Sequence, residues 1–399
     1  MFLLTTFIIL KVFNAYEISL WYMFASATAF SHYFEFGIGP TIIRFIAYGN
    51  SENEKIELYK TIGASISVYF FLSLIVMIFS FVFVNYADNS TDVDLSLVFW
   101  LYPILNATNF FLKFSDSTLK GCGYLLKYNY WNSIFFLVNS VIVSLVVFFS
   151  RSVEYSLLAL HFLLTLNGVK NFLIVKNVIK IEKIRAYLSL DHVKQKLGEY
   201  VKPTVETALM SISSTGLGQA INIFLPALVG VNVASAYFVC QKILRVIDEF
   251  SYGPFYSYVP EFMQTWGRSN SIRNYRIVIV KTIVFSLVMI AVLGSLLHPL
   301  LDLFVPYFNL NITLFPFCVL MLMTILFLLE RGSGFVSQMF LIRNVTSQYK
   351  IYVLSAVIAV VLIILGDITS IVHFLVLFIS VRFFELFLML LKLKLSWGK

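Results

Sequence analysis

The sequence predicts an all-α integral membrane protein. It reads as about twelve transmembrane helices in two six-helix lobes, related by a parallel internal repeat, with a short first helix. Three observations carry this. First, the 399 residues are 59% hydrophobic and only 13% charged, about half the charged share of soluble domains. Second, apolar stretches able to cross the roughly 30 Å hydrocarbon core recur along the whole chain. Third, a six-residue motif and its surroundings in the first half return in the second.

Taken in order, the apolar segments are 1–13, 18–48, 58–86, 95–118, 128–150, 154–176, 203–229, 233–265, 273–300, 311–338, 347–366 and 369–394. In hydrocarbon every backbone N–H and C=O must be satisfied inside its own segment, so such spans are helices. Met1 to Phe13 lacks both a basic leader and a small-x-small cleavage site, and reads as a retained helix rather than a signal peptide. It rises only about 20 Å. In the second half about 27 residues run from Pro203 to the turn at Val231, whereas about a dozen precede the matching turn at Tyr16. The first helix is therefore expected to be short by roughly one to two turns, through truncation, a mis-assigned start or a naturally short helix.

The net charge is +8, and its placement is topological. With the N-terminus in the cytoplasm, the inside loops collect Lys55, Lys127, Lys176, Lys183, Arg185, Arg268, Arg343 and Lys399, while the outside loops carry Lys11 and Arg151. That bias predicts a multi-pass protein with both termini cytoplasmic. The acidic run Asp88–Asp94 falls outside. No nucleic-acid-binding motif competes with this reading, so membrane lipids are expected partners and nucleic acid is not. Cys122, Cys240 and Cys318 are far apart and form no metal or disulfide framework. The basic segment 177–202 divides a lobe at 1–176 from a lobe at 203–399. It is either an interfacial helix or a solvated linker.

The repeat is read from Glu35-Phe36-Gly37-Ile38-Gly39-Pro40 and Glu249-Phe250-Ser251-Tyr252-Gly253-Pro254, both E-F-x-x-G-P. Tyr16–Tyr22 upstream matches Val231–Tyr237, and Lys60-Thr61-Ile62 downstream matches Lys281-Thr282-Ile283. Six spans per half give both halves one orientation, so the repeat is parallel. It places Glu35, Asp248 and Glu249 at mid-span. Each stands ahead of a break expected at Gly37, Gly39 and Pro40 or at Gly253 and Pro254. Ionisable groups at that depth are functional candidates, as are Gly/Pro-interrupted segments at corresponding positions of two halves. Helical spacing gathers Lys242, Arg245 and Glu249 on one stripe, and Asn106, Asn109, Lys113, Asp116 and Lys120 on another. Thr28, His32 and Glu35 form a third, and Ser211, Ser214, Gly218 and Asn222 a fourth. Simpler roles compete. Arg245 with Glu249, Lys113 with Asp116, and Arg382 with Glu385 are spaced for local pairs. Arg44, Lys120, Glu330 and Arg331 are placed to snorkel at the cytoplasmic interface.

The pattern N-A-Y-E-I-S-L-W-Y followed by F-E-F-G-I-G-P-T-I-I-R-F-I-A-Y-G resembles the first helical hairpin of bacterial polysaccharide flippases, the O-antigen (Wzx-type) transporters of the MATE-like MOP superfamily. V-G-V-N-V-A-S-A-Y-F-V-C-Q-K-I resembles their seventh and eighth helices. The resemblance covers nearly the whole chain in topology through loose residue motifs. It implies translocation of an undecaprenyl-pyrophosphate-linked oligosaccharide, such as an O-antigen repeat unit, across the bacterial inner membrane, with other polysaccharide-assembly membrane proteins as candidate partners. It places Arg44, Lys113, Lys242 and Arg245, with Glu35, Asp248 and Glu249, in a central cavity. Asp116 and Lys120 join them by their shared helical face. Glu35, Asp248 and Glu249 are candidates for proton or sodium coupling. No other cofactor is expected, and no G-x-x-x-x-G-K-[ST] nucleotide loop occurs. A MATE-like exporter of small cations is the alternative. A membrane polysaccharide-assembly enzyme is a third reading, disfavoured by outside loops of only about a dozen residues.

Overall fold

In the computed structural model every described element is helical, with no strand among the described residues. Those residues are 2–51, 55–90, 97–179, 205–206, 208–269, 275–308, 315–342, 348–366, 368 and 370–397. The first half contains α1 (Phe2–Val12), α2 (Ala15–Ser31), a 3-10 turn (His32–Glu35), α3 (Ile38–Ser51) and α4 (Lys55–Ser90). A second 3-10 turn (Leu97–Leu101) leads into α5 (Tyr102–Gly121), α6 (Leu125–Ser150) and α7 (Val153–Val178). The second half opens with a π turn (Ile212–Gly216) running into α8 (Leu217–Val229). It continues through α9 (Val231–Ser269), α10 (Arg276–Phe308), α11 (Phe317–Ile342), α12 (Tyr349–Leu365) and α13 (Ile371–Trp397). The expected basic linker beyond Ile179 lies outside the described residues.

Among the described residues, seven helices are long and apolar enough to cross a membrane by length and composition. The other five expected spans depart from that standard for separate physical reasons. Helix α1 has eleven residues and rises about 17 Å. The second span is split into α2 and α3. Helices α5 and α9 carry charges at mid-span. Helix α12 has seventeen residues. Large apolar side chains point outward along α4, α6, α10 and α13, among them Phe70, Ile78, Phe149, Val288 and Phe383. In water this surface would drive aggregation, and in lipid it is the solvent-facing side.

The trace falls into two compact units. One comprises Met1–Phe13 with Leu20–Ile223, the other Asn14–Ser19 with Phe224–Lys399. The first part of the seventh span therefore clusters with the helices of the first half. Within each unit the fourth helix of the lobe is the hub. Helix α5 packs on α3, α4, α6 and α7, and α11 packs on α9, α10 and α13. The pairs α3–α4 and α6–α7 have counterparts in α9–α10 and α12–α13. Five helix pairings thus recur in the same order, as a parallel repeat requires.

The cores follow from the hubs. In the first half Ile42, Ile46, Ile62, Tyr69, Val76, Phe110 and Phe114 close the space between α3, α4 and α5. Phe24 meets Phe83, Phe99 and Tyr102 edge-on at ring separations of 4.7, 4.6 and 4.9 Å, a favoured aromatic geometry. In the second half Phe255, Phe262, Phe335 and Met339 do the same for α9 and α11. The α3–α5 contact is close enough to exclude a methyl group. A Cβ at Gly121 would lie 2.6 Å from Ile46 Cβ and 3.0 Å from the Ile43 carbonyl oxygen. Overpacking of this kind costs about 1–3 kcal/mol. Gly121→Ala should lower the thermal unfolding midpoint in detergent. Gly218→Ala, with no atom near the added Cβ, should leave it level or raise it.

Candidate functional site

The first site is built where the second span breaks. Helix α2 tightens into the 3-10 turn His32–Glu35, and the chain then passes through two left-handed residues, Phe36 (φ 49°) and Gly37 (φ 70°). Gly37 takes that conformation freely, whereas for an aromatic residue it is an outlier. The reversal leaves Glu35 at the end of the turn, facing α4 and α5. The Tyr69 hydroxyl of α4 donates to Glu35 Oε1 and lies 3.3 Å from Ser117 Oγ. Lys113 Nζ of α5 is 3.7 Å from Glu35 Oε2, the two side chains being 19% and 21% exposed. Gly39 leaves the room: a Cβ there would fall on the Glu35 carboxylate.

One turn along α5 a second polar layer begins. Asn171 of α7 donates to Asp116 Oδ1 at 2.8 Å, and its amide also reaches Asn132 Oδ1 of α6 at 3.4 Å. Lys170 Nζ donates to the same Asn132 oxygen at 3.0 Å. Lys120 sits over the Tyr128 ring at 4.7 Å. In the other direction along α5, Tyr102 and Asn106 face α2. Thr28 Oγ1 is 3.0 Å from the Tyr102 hydroxyl and 3.4 Å from His161 Nε2. Asn106 donates to Ser80 Oγ at 2.9 Å. The polar face of α5 is therefore spent on helices of its own unit, with the Glu35–Lys113 pair near its centre.

The second half contains a counterpart. Arg331 of α11 grips Asp248 of α9 with both arms of its fork: Nε donates to Oδ1 at 2.6 Å and Nη2 donates to Oδ2. The side chains are 13% and 8% exposed. The guanidinium lies over the Tyr252 ring at 4.3 Å, so packing fixes the fork as well as charge. Next to it on α11, Glu330 is 3.6 Å from Arg382 Nη2 of α13, and Arg382 Nη1 is 2.7 Å from Glu385 Oε2. Helix α11 is thus tied on one side to α9 and on the other to α13. In both halves an acid of the second helix in the lobe meets a cation of the fourth. A charge at this depth persists only when paired, and the bidentate carboxylate–guanidinium form is the strongest such pair.

Among the predicted residues, the structure unites Glu35 with Lys113. Asp116 and Lys120 join the layer below. Asp248 is buried, but Glu249 is exposed. Arg245 does not stand alone on its stripe: its guanidinium is over the Phe327 ring at 5.4 Å. Lys242 is half-buried on the same helix. The side chains of Arg44 and Pro40 lie outside the described residues. The expected breaks come out differently in the two halves. Gly37 sits in a true interruption, with Gly39 and Pro40 opening α3, whereas α9 runs unbroken through Gly253 and Pro254. Lys113 pairs across helices with Glu35 as well as lying one turn from Asp116. Arg331, read as a snorkelling residue, faces inward because Asp248 and Tyr252 hold it there. Tyr69, Asn171 and Arg331 are the participants that sequence reasoning missed. Arg331 alone left a signal, as a charge inside an apolar span.

No protein-family model matches the chain, and no curated protein matches it. Solved structures do. An inward-facing multidrug resistance MATE family transporter of the MOP superfamily aligns with TM-score 0.70 at 10% identity, covering 98% of this chain and 93% of that one. A MATE protein in the bent conformation aligns with TM-score 0.53 at 11% identity over 98% and 93%. A eukaryotic MATE transporter aligns with TM-score 0.54 at 14% identity over 99% of this chain and 91% of that one. The chain therefore has the fold of MATE transporters.

Gly39 offers a test of the first site. Gly39→Ala should push the Glu35 carboxylate off Tyr69 while the backbone stays in place, because the obstacle is the end of a flexible side chain. In the wild-type background Tyr69→Phe should cost about 1 kcal/mol for the lost hydrogen bond. In the Gly39→Ala background the same change should cost close to nothing. Thermal midpoints of the four proteins in detergent decide this.

Proposed function

We propose that the chain is an alternating-access membrane transporter whose cargo is an anionic lipid-linked oligosaccharide of the undecaprenyl-pyrophosphate type. The observation that supports transport is the matched acid–cation pair at mid-span in each half of a MATE fold. Nothing in a purely structural helix bundle calls for such a pair twice, each time between the second and fourth helices of a half. The cargo reading rests on the flippase-like sequence motifs together with the cations Lys113, Lys242 and Arg245. Arg44 is a further candidate.

The physical task suits such a chain. A pyrophosphate and a sugar head cannot enter hydrocarbon without losing their hydration. Polar helix faces carry the head while the polyprenyl tail stays in lipid. Lysine supplies a point charge to the phosphates, and arginine a planar fork that matches their oxygens. Glu35, Asp248 and Glu249 are the carboxylates able to exchange a cation partner for a proton or sodium. With both termini cytoplasmic in a bacterial inner membrane, the membrane potential favours outward movement of an anion by about 2.3 kcal/mol per charge per 100 mV. Other membrane proteins of polysaccharide assembly would be its neighbours.

The neighbouring folds include a multidrug resistance transporter, so export of small cations is the competing reading. Two bacterial strains separate them, one lacking its own O-antigen flippase and one lacking its drug exporters. The chain should restore surface polysaccharide in the first, and Lys113→Ala or Arg245→Ala should abolish the rescue at equal membrane abundance. Drug resistance in the second strain without rescue of the first would replace the cargo reading with the exporter.

A further inference from the structure

The two copies of E-F-x-x-G-P have different backbones within one chain. In the first, the helix stops at Glu35, Phe36 and Gly37 are left-handed, and a new helix starts at Ile38. In the second, Glu249 to Pro254 lie inside α9, which runs unbroken from Val231 to Ser269. The side chains differ accordingly. Glu35 turns in to Tyr69 and Lys113, whereas Glu249 and Phe250 are exposed. The same six-residue pattern thus occurs once as a break and once as continuous helix.

We propose that residues 32–37 are a two-state hinge, broken as seen here and continuous in the manner of 249–254, with Glu35 as its latch. This deepens the transport reading, on which it rests for its purpose. In the broken state Phe36 has a backbone that an L-residue avoids, by a factor of about 5–30. The Glu35 contacts to Tyr69 and Lys113 offset that cost. In the continuous state Glu35 rotates away, as Glu249 has, and Lys113 is left without its carboxylate. An anion that competes for Lys113 therefore favours straightening, and straightening exposes Lys113 to the anion. By linkage the two are one equilibrium.

The hinge also has a second contact. Tyr33, inside the 3-10 turn, lies against Gly216 of the π turn, where an added Cβ would be 3.3 Å from the ring. Two irregular turns, one in the second span and one in the seventh, thus touch through an aromatic ring and a glycine. The π turn brings its own mismatch, a wide ring in an otherwise α-helical span, a feature common at functional sites. Straightening residues 32–37 rotates Tyr33 off Gly216, so the movement is transmitted to the seventh span.

The test is a distance. Ala25→Cys and Ala47→Cys carry spin labels in the full chain, with Cys122, Cys240 and Cys318 replaced by serine, reconstituted in liposomes. A continuous helix would separate the two Cα atoms by about 33 Å, and the broken form brings them closer. Phe36→Gly removes the left-handed cost and should raise the broken-to-continuous ratio by about 5–30 fold. Gly37→Ala adds the same cost and should lower it by a similar factor. Millimolar inorganic pyrophosphate should move the wild-type population toward the long distance, and Lys113→Gln should remove that response. A single distance, unchanged by Phe36→Gly, Gly37→Ala and pyrophosphate, would show a static break and overturn the hinge. If Gly37→Ala does not fold, Phe36→Gly and pyrophosphate decide alone. The readout is independent of transport: restored surface polysaccharide with one fixed distance would refute the hinge and leave the transport reading standing.

Discussion

A charge held inside a bilayer must find an opposite charge, and the architecture of this protein is organised around that requirement. The hydrocarbon supplies no compensating solvent, and between helices it supplies no hydrophobic drive either, since lipid tails are as apolar as leucine. Packing and polar contacts must then choose the neighbours. Here they choose α5 and α11. Each is the fourth helix of its lobe, each carries a mid-span cation, and each binds the acid of its second helix, Glu35 for Lys113 and Asp248 for Arg331. Removing one member leaves a buried charge unmatched, which costs more than the pair itself contributes.

The two pairs are not alike, and their difference carries functional meaning. Arg331 holds Asp248 through a fork, leans on Tyr252 and adjoins the Glu330–Arg382–Glu385 cluster. That arrangement resists partner exchange. Lys113 meets Glu35 at 3.7 Å, through a flexible stem, beside a turn with two left-handed residues. One unit is therefore clamped at mid-depth. The other has a single-point contact that a competing anion could replace.

Much of the fold was legible in the sequence, because the membrane simplifies the problem. Long apolar runs demand helix, and the ends of α6, α7, α9 and α13 fall within a few residues of the expected spans. The repeat was legible for the same reason, since E-F-x-x-G-P stands out in an apolar background. The site was legible only as a list of charges. Glu35 and Lys113 were visible as costly residues at mid-span, but their pairing depends on which face α4 and α5 share. That in turn rests on apolar packing by residues such as Phe110 and Phe114, which carry no individual signal. Tyr69 was hidden among many tyrosines until Glu35 was seen to need a donor. The unequal outcome at the two Gly-Pro pairs was not legible either. Gly37 takes the left-handed conformation at the position where the second copy has Ser251, a residue for which that backbone is costly.

An acid–cation pair ties the second helix to the fourth in each lobe, and a double-mutant cycle on the second pair measures that tie. Asp248→Asn, Arg331→Gln and the double variant would be unfolded in detergent with a matched denaturant series. Each single change should destabilise by about 3–5 kcal/mol, and the double variant should recover much of that loss. Additive losses, with the double variant as unstable as the sum of the singles, would contradict it.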